Sequence, residues 1–303
     1  MSIDAPEHAA VHVAHPIPRR YVALGLVVVV IILLGALVAI RHNKTQSNTP
    51  AVETFTPAPT SVMEPLTHLP RTIIDEVGAG PAAEPITPLT STGSPSVWLS
   101  SPSAAATASR PVVFFYGAEF APGAAAERWP VIEALSRFGT FGPVDLMQSS
   151  PSMVFADTST FTFSNATYSS HWISLEAVER YSALNPTGAH YTTLQTPTAR
   201  QAAAVSVYDA TGPTFPLLDI ANRYVLVGAS FSPAVLEGQS QAQIVADLAI
   251  PTSPITEAIV ASANQITAAV CTVTGQRPSD VCRARGVTAA DAKLGIAVSG
   301  SGR

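Results

Sequence analysis

"VVFFYGAEFAPGAAAERWPVIEALSRFG", residues 112–139, is the stretch on which the fold turns. Val112 to Tyr116 is short, almost wholly apolar and rich in β-branched and aromatic side chains, the pattern of a strand buried on both faces. Ala124 to Phe138 follows with an apolar stripe at Ala125, Trp129, Ile132 and Leu135, the spacing of a helix. Pro130 sits within that helix and is expected to kink it. Strand, proline-containing loop and helix N-terminus form the setting in which redox proteins keep a reactive thiol pair, because the helix terminus favours a thiolate. Here the loop reads Ala121-Pro122-Gly123-Ala124, with a methyl group at both candidate sulfur positions.

Working outward, other segments repeat the alternation of strand and helix. Val144–Met147, Thr160–Ser164, Ala166–Ser169 and Trp172–Leu175 are expected strands, and Thr196–Tyr208 an expected helix. Phe215–Ile220 and Arg223–Val227 are expected to pair across a tight turn at Ala221-Asn222. Gln239–Leu248 and Ile255–Val273 are expected helices. This order predicts an α/β layer fold with at least one parallel crossover.

Upstream, Tyr21–Ile40 reads "YVALGLVVVVIILLGALVAI", without a charge or a proline. Twenty such residues at about 1.5 Å rise match a hydrocarbon core of about 30 Å. The run is longer than a signal-peptide core and is followed by no small-residue cleavage pattern. A single N-terminal transmembrane helix is therefore expected. Arg19 and Arg20 abut the run, while Arg41 and Lys44 follow it. The free N-terminus adds positive charge and tips the orientation towards a cytoplasmic N-terminus and an extracytoplasmic main domain.

Composition excludes some classes of function. Charged residues make up 12% of the 303 residues and the formal net charge is -5. That balance lacks the concentrated basic surface that nucleic acid requires, so no nucleic-acid partner is expected. His8, His12 and His15 lie in a polar segment without a core pattern and are assigned no metal. His42 to about Met63 is rich in Thr, Pro, Ser and Asn and is expected to be an extended tether. Leu66–Val77 is expected to be a first element packed on the domain. Pro81–Arg110 is again Pro/Ser/Ala-rich, with an apolar patch at Val97-Trp98-Leu99. The expected organisation is a cytoplasmic tail (1–20), transmembrane helix (21–40), linker (41–65), folded extracytoplasmic domain (66–283) and C-terminal tail (284–303).

The chain has 2 cysteines, Cys271 and Cys282. Gly275 and Pro278 between them allow the chain to turn back, and no neighbouring histidine cluster suggests zinc. A structural disulfide in an oxidising compartment is expected, against the alternative of two buried thiols. A loop of this length contributes about 2.8 kcal/mol in the chain-entropy model. No Gly-rich phosphate loop, His-Glu-x-x-His or Gly-x-Ser-x-Gly pattern occurs, and no cofactor or metal is expected. His171 and His190 read as surface or loop residues rather than as catalytic bases. Asn165-Ala166-Thr167 is a glycosylation sequon.

Several stretches together resemble the bacterial and archaeal family called domain of unknown function 929. They are Gly117-Ala118-Glu119-Phe120, Ala125-Ala126-Glu127-Arg128-Trp129, Ala134 to Gly139, Asp219 to Tyr224, Gly228 to Pro233, and the spacing of Cys271 to Cys282. They cover about Leu66 to Cys282. The resemblance implies a thioredoxin-like domain with insertions, in which Phe215-Pro216 is a cis bond opening the strand that faces the active-site helix. Members typically carry Cys-Pro-x-Cys where this chain has Ala121-Pro122-Gly123-Ala124. A methyl group cannot attack a disulfide, so the redox positions are vestigial and no catalytic residue is assigned. The expected function is a non-catalytic binding or scaffold module for an extracytoplasmic protein or peptide. Its candidate groove residues are Glu119, Pro122, Glu127, Arg128, Phe215 and Pro216. Two alternatives stay open: a thiol oxidoreductase using Cys271 and Cys282, and an enzyme of another class using Glu119 or Glu127.

Overall fold

The structure is a computed structural model that describes residues 55–81, 87–92, 109–185, 188–208 and 214–294. In chain order the elements are β1 (Thr56–Pro57), α1 (Thr60–Thr67), α2 (Arg71–Val77), β2 (Thr90–Ser91), β3 (Val112–Gly117), α3 (Pro122–Ser136), β4 (Gly139–Phe141), β5 (Asp145–Gln148), β6 (Ser159–Thr162), β7 (Tyr168–Ser170) and β8 (Ser174–Glu179). There follow α4 (Ala199–Tyr208), β9 (Leu217–Ile220), β10 (Tyr224–Val227), a 3-10 turn at Pro233–Leu236, α5 (Gln241–Asp247), α6 (Pro254–Val273), α7 (Ser279–Cys282) and α8 (Arg285–Asp291).

Five strands form the principal sheet in the order β2-β10-β9-β3-β8. β3 lies between β9 and the edge strand β8, parallel to β8 and antiparallel to β9. All six residues of β3 are buried, as befits a strand covered on both faces. Phe115 and Val113 face the larger core, while Val112, Phe114 and Tyr116 face a smaller one beneath α4. β9 and β10 join through the three residues 221–223, of which Ala221 (φ 54°) and Asn222 (φ 55°) are both left-handed. That conformation matches the twist of the flanking strands. The Asp219 carboxylate secures the turn by accepting the Asn222 N–H at 2.6 Å. Two further sheets, β1-β5-β6 and β4-β7, flank the first.

The helices α3 and α6 pack together and carry much of the core. Every residue of α3 from Ala124 to Leu135 is buried, so the helix has no solvent face. Arg137 fastens the two helices: it is paired with Glu133 (2.6 Å) and donates to Asn264 Oδ1 (2.8 Å) and Thr267 Oγ1 (3.0 Å). Asn264 Nδ2 in turn donates to the carbonyls of Ile74 and Gly78, drawing α2 onto the same face. Cys271 and Cys282 are joined in a disulfide that ties the end of α6 to α7.

The expected fold class, a thioredoxin-like domain preceded by a single N-terminal transmembrane helix, is corrected by this architecture. The described residues form a mixed α/β structure of three sheets and surrounding helices. No helix among them is long and apolar enough to cross a membrane. The longest, α6, has 20 residues but carries Thr256, Glu257, Asn264, Gln265 and Thr267, whose polar groups suit a protein interior and not a hydrocarbon one. Tyr21–Ile40 lies outside the described residues, as do the histidines of the N-terminal segment and the Val97-Trp98-Leu99 patch.

Two boundaries and one element also differ from those expected. The linker expected over 41–65 ends earlier, since Thr60–Thr67 is helical, with Val62 and Leu66 buried. Its two apolar contacts lie one helical turn apart, too sparse a pattern to stand out from the Thr/Pro-rich background. The stretch Leu66–Val77, expected as one element, is two helices broken at Pro70, which sits at the N-cap of α2. The tail expected from 284 is part of the fold: Arg285–Asp291 is helical with Gly286, Val287 and Ala290 buried. Asp75 accepts the Gly286 N–H at 2.9 Å, and an added Cβ at Gly286 would stand 2.0 Å from the Ile74 carbonyl oxygen.

Gly286→Val is therefore expected to push α8 off α2 and to lower unfolding stability by about 1–3 kcal/mol, as overpacking does. Denaturant unfolding of the variant beside Thr288→Val, an exposed position of the same helix, isolates the effect.

Candidate functional site

Ala121 is the N-cap of α3, with extended backbone angles (φ -83°, ψ 121°), and Pro122 is the first helical residue. Proline suits that place because its ring presets the helical φ and its absent N–H was unneeded. The first intrahelical bond runs from Ala125 N–H to the Ala121 carbonyl. The helix itself thus offers no acceptor to the N–H groups of Gly123 and Ala124. Ala121 is 7% exposed and Ala124 is buried.

Gly123 is where this loop meets the β9 entrance. A Cβ added there would lie 3.0 Å from the Phe215 carbonyl oxygen, 3.6 Å from Pro216 Cδ and 3.7 Å from Ala229 Cβ. The Phe215–Pro216 peptide bond is cis. Pro122, Phe215 and Pro216 are thus gathered at one point with Ala121 and Ala124, although more than ninety residues separate the two segments.

An aromatic rim adjoins this point. Phe120 stacks on Tyr191 with ring centres 3.9 Å apart and planes 8° apart. Phe215 meets Phe120 edge-on at 5.9 Å and Tyr181 edge-on at 6.1 Å. The Arg180 guanidinium lies 4.8 Å from the centre of the Tyr181 ring. Tyr191 is further held by hydroxyl contacts to Ser150 (3.2 Å) and Ser152 (3.1 Å). Tyr181 and Tyr191 were not foreseen as site residues. They lie in irregular chain sixty and seventy residues beyond Ala121, where no local periodicity marks them.

Glu119, Glu127 and Arg128, expected along the groove, are instead sealed inside. All three are 0% exposed. Glu127 and Arg128 lie on α3, whose full burial leaves them no route to solvent, and Glu119 in the turn before it is enclosed by the same core; each must find an internal partner. Arg128 pairs with Glu179 through Nε–Oε1 (2.9 Å) and Nη2–Oε2 (2.6 Å), and its guanidinium carbon sits 5.6 Å from the centre of the Phe115 ring. Glu179 also accepts the Phe163 N–H at 3.2 Å. Glu119 accepts a short hydrogen bond from Thr162 Oγ1. Glu127 Oε2 accepts from both the N–H (2.8 Å) and the hydroxyl (2.6 Å) of Ser230, whose oxygen lies 2.8 Å from that of Ser262. Burial pushes the Glu127 carboxyl up to about 7, against the lowering effect of the two Ser230 bonds.

Neither cysteine approaches this chemistry from an exposed surface. Cys271 is 1% and Cys282 3% exposed, and their sulfurs are joined to each other, which leaves no thiolate to attack. Among the described residues no group of three or more His, Cys, Asp or Glu is placed to hold a metal ion.

Residues 98–210 match the family model described as Domain of unknown function (DUF929). Over those residues the chain is similar to that family. The match takes in β3, the Ala121–Ala124 loop, α3 and the strands up to β8, and ends before Phe215–Pro216 and the disulfide. It is shorter than the span of the resembling stretches, about Leu66 to Cys282. The family's description assigns no activity. No curated protein and no solved structure matches the chain.

Two predictions follow from the buried charges. Glu127 has a folded pKa above its unfolded value of 4.5, so the folded state binds more protons than the unfolded one between about pH 4.5 and 7. Its contribution to stability is therefore best at low pH and declines as pH rises through that window, by on the order of 3 kcal/mol. Denaturant unfolding across pH 4–8 should show this decline in the parent and its loss in Glu127→Gln. Arg128→Met, by contrast, should cost about 3–5 kcal/mol because it strands the Glu179 carboxylate in the interior. Adding Glu179→Leu should recover most of that loss in the same assay, since the desolvated charge is then gone.

Proposed function

We propose that this protein is a non-catalytic binding module that receives an extended segment of a protein partner at the Ala121–Ala124 loop. The observation that carries the proposal is the contact of Gly123 with Phe215 and Pro216 beside two alanines. The arrangement sets helix N-terminal N–H groups that have no acceptor among the described residues against an extended strand entrance. An extended peptide can be met there by main-chain hydrogen bonds, with side-chain selection by neighbouring pockets. Phe120, Tyr181, Tyr191 and Phe215 supply apolar bodies for that selection. No residue at the loop supplies a nucleophile, which supports binding in place of exchange.

The twenty uncharged residues of Tyr21–Ile40, with arginines directly before them, support attachment to a membrane with the folded residues outside the cytoplasm. The buried disulfide is consistent with an oxidising compartment.

Ala121→Cys in the full chain tests the binding reading. A thiol at the N-cap of a 15-residue helix should titrate well below the ordinary cysteine value of about 8.5. An extended synthetic peptide bearing one central cysteine disulfide should trap on it at least tenfold faster than on a small-molecule thiol of the same pKa. Equal trapping rates, or a rate unaltered when Phe215→Ala and Tyr191→Ala strip the aromatic rim, would overturn the reading.

A further inference from the structure

β8 is an edge strand of the principal sheet: β3 pairs with one side of it and no strand among the described residues pairs with the other. The ladder fixes which groups face outward. Ser174 N–H donates to the Pro111 carbonyl and Arg180 N–H to the Gly117 carbonyl, so the even-numbered residues of β8 address β3. The odd-numbered residues Leu175, Ala177 and Glu179 therefore turn their N–H and C=O groups away from it.

The chain occupies only half of this outer side. Ser182 N–H donates to the Thr192 carbonyl, Leu194 N–H to the Arg180 carbonyl and Gln195 N–H to the Glu179 carbonyl, while Tyr181 and Thr193 form an antiparallel bridge. Residues 192–195 thus run as an antiparallel neighbour along the extension of β8. At Gln195 the backbone leaves, and the Gln195 side chain completes the last pairing by accepting the Glu179 N–H at 2.7 Å. Beyond that point the outward groups of Leu175 and Ala177 have no hydrogen-bond partner among the described residues.

A cleft of about 340 Å³ lies there, in line with the departed strand. One wall is largely apolar, with Phe163, Ala166 and Tyr168 beside Leu175 and Ala177. The other is polar: Glu176, held by Arg200 (2.6 Å) and Gln201 (3.0 Å), with Gln195. Walls of opposite character suit a strand whose side chains alternate, apolar on one face and polar on the other.

We propose that the outer edge of β8 is a docking lane for an extended peptide segment of a partner protein, with alternating apolar and polar residues, which pairs antiparallel with Leu175 and Ala177 and continues the line of residues 192–195. What identifies the occupant is continuity: the chain's own antiparallel pairing already sets direction and register, and a strand entering the cleft extends it. At about 3.3 Å per residue the open stretch takes about three residues. A second copy is the poorer occupant. In the two-fold register that pairs Leu175 with Ala177 of the other copy, each Glu176 faces its own mate, and like charges directly opposite each other destabilise a sheet pair. This lane is distinct from the Ala121–Ala124 loop and does not depend on the function proposed there.

Hydrogen exchange of the full chain, read on fragments covering residues 174–179, tests the lane. The probe is a synthetic heptapeptide of alternating valine and threonine. At saturation it should slow exchange of the Leu175 and Ala177 amides at least tenfold. Ala177→Pro should abolish that protection, since proline removes an outward N–H that the ladder to β3 does not use. The same peptide N-methylated on the amides that would face β8 should give no protection with unaltered protein, a control independent of the variant's folding. Lack of protection by the unmethylated peptide, equal protection by the methylated one, or protection confined to residues 214–220 would overturn the proposal. So would protection that rises with protein concentration in the absence of peptide, which would assign the edge to a second copy.

Discussion

Arg128 is a guanidinium with no contact with water, and the architecture around it follows from how that charge is accommodated. Desolvating an arginine is tolerable only if its charge is matched at close range with good geometry. Glu179, at the end of β8, provides the match through two parallel bonds. The pair joins the central helix to the edge strand and fixes the depth of α3 against the sheet. It also holds Phe163 through the backbone bond to Glu179, and so draws in the connection between β6 and β7. The loop at Ala121 is thereby stationed at one end of a helix that cannot rotate or slide without breaking a buried ion pair.

Seen from this pair, the polar residues of α3 act as internal fasteners. Arg128 reaches the sheet, Glu127 reaches the Ser230 loop, and Glu133 with Arg137 reaches α6 and through it α2. Three directions of attachment from one helix explain why a chain with so few charges keeps several of them buried. A segment docked at Ala121 to Ala124, as proposed, would meet backbone, methyl groups and aromatic rings, with the charges behind them.

The two candidate peptide sites share a physical principle. At the α3 N-terminus and at the β8 edge alike, regular structure ends with main-chain groups that have no partner among the described residues, and aromatic side chains stand close by. The Tyr181–Gln195 segment adjoins both: its aromatic residues rim the first, and its departure at Gln195 opens the second. An irregular segment supported by a rigid sheet is the common location for recognition.

Much of the element pattern was legible in the sequence. The all-apolar run at Val112, the Ala125/Trp129/Ile132/Leu135 stripe and the paired runs around Ala221-Asn222 each follow from a period of two or 3.6 and from turn chemistry, which are local properties of adjacent residues. The alanines at 121 and 124 exclude dithiol exchange at this loop by covalent chemistry alone, whatever the fold. The helices α1 and α8 escaped notice because short amphipathic segments bury only two or three residues each, and their stability comes from what they pack against. The burial of Glu119, Glu127 and Arg128 was likewise decided only by tertiary structure. Charge near a loop reads as exposed until a second layer covers the helix, and the covering residues, Glu179, Thr162 and Ser230, lie from 43 to 103 positions away. Which side of β8 stays open is a matter of where residues 192–195 turn aside, a contact between segments that no local sequence pattern encodes.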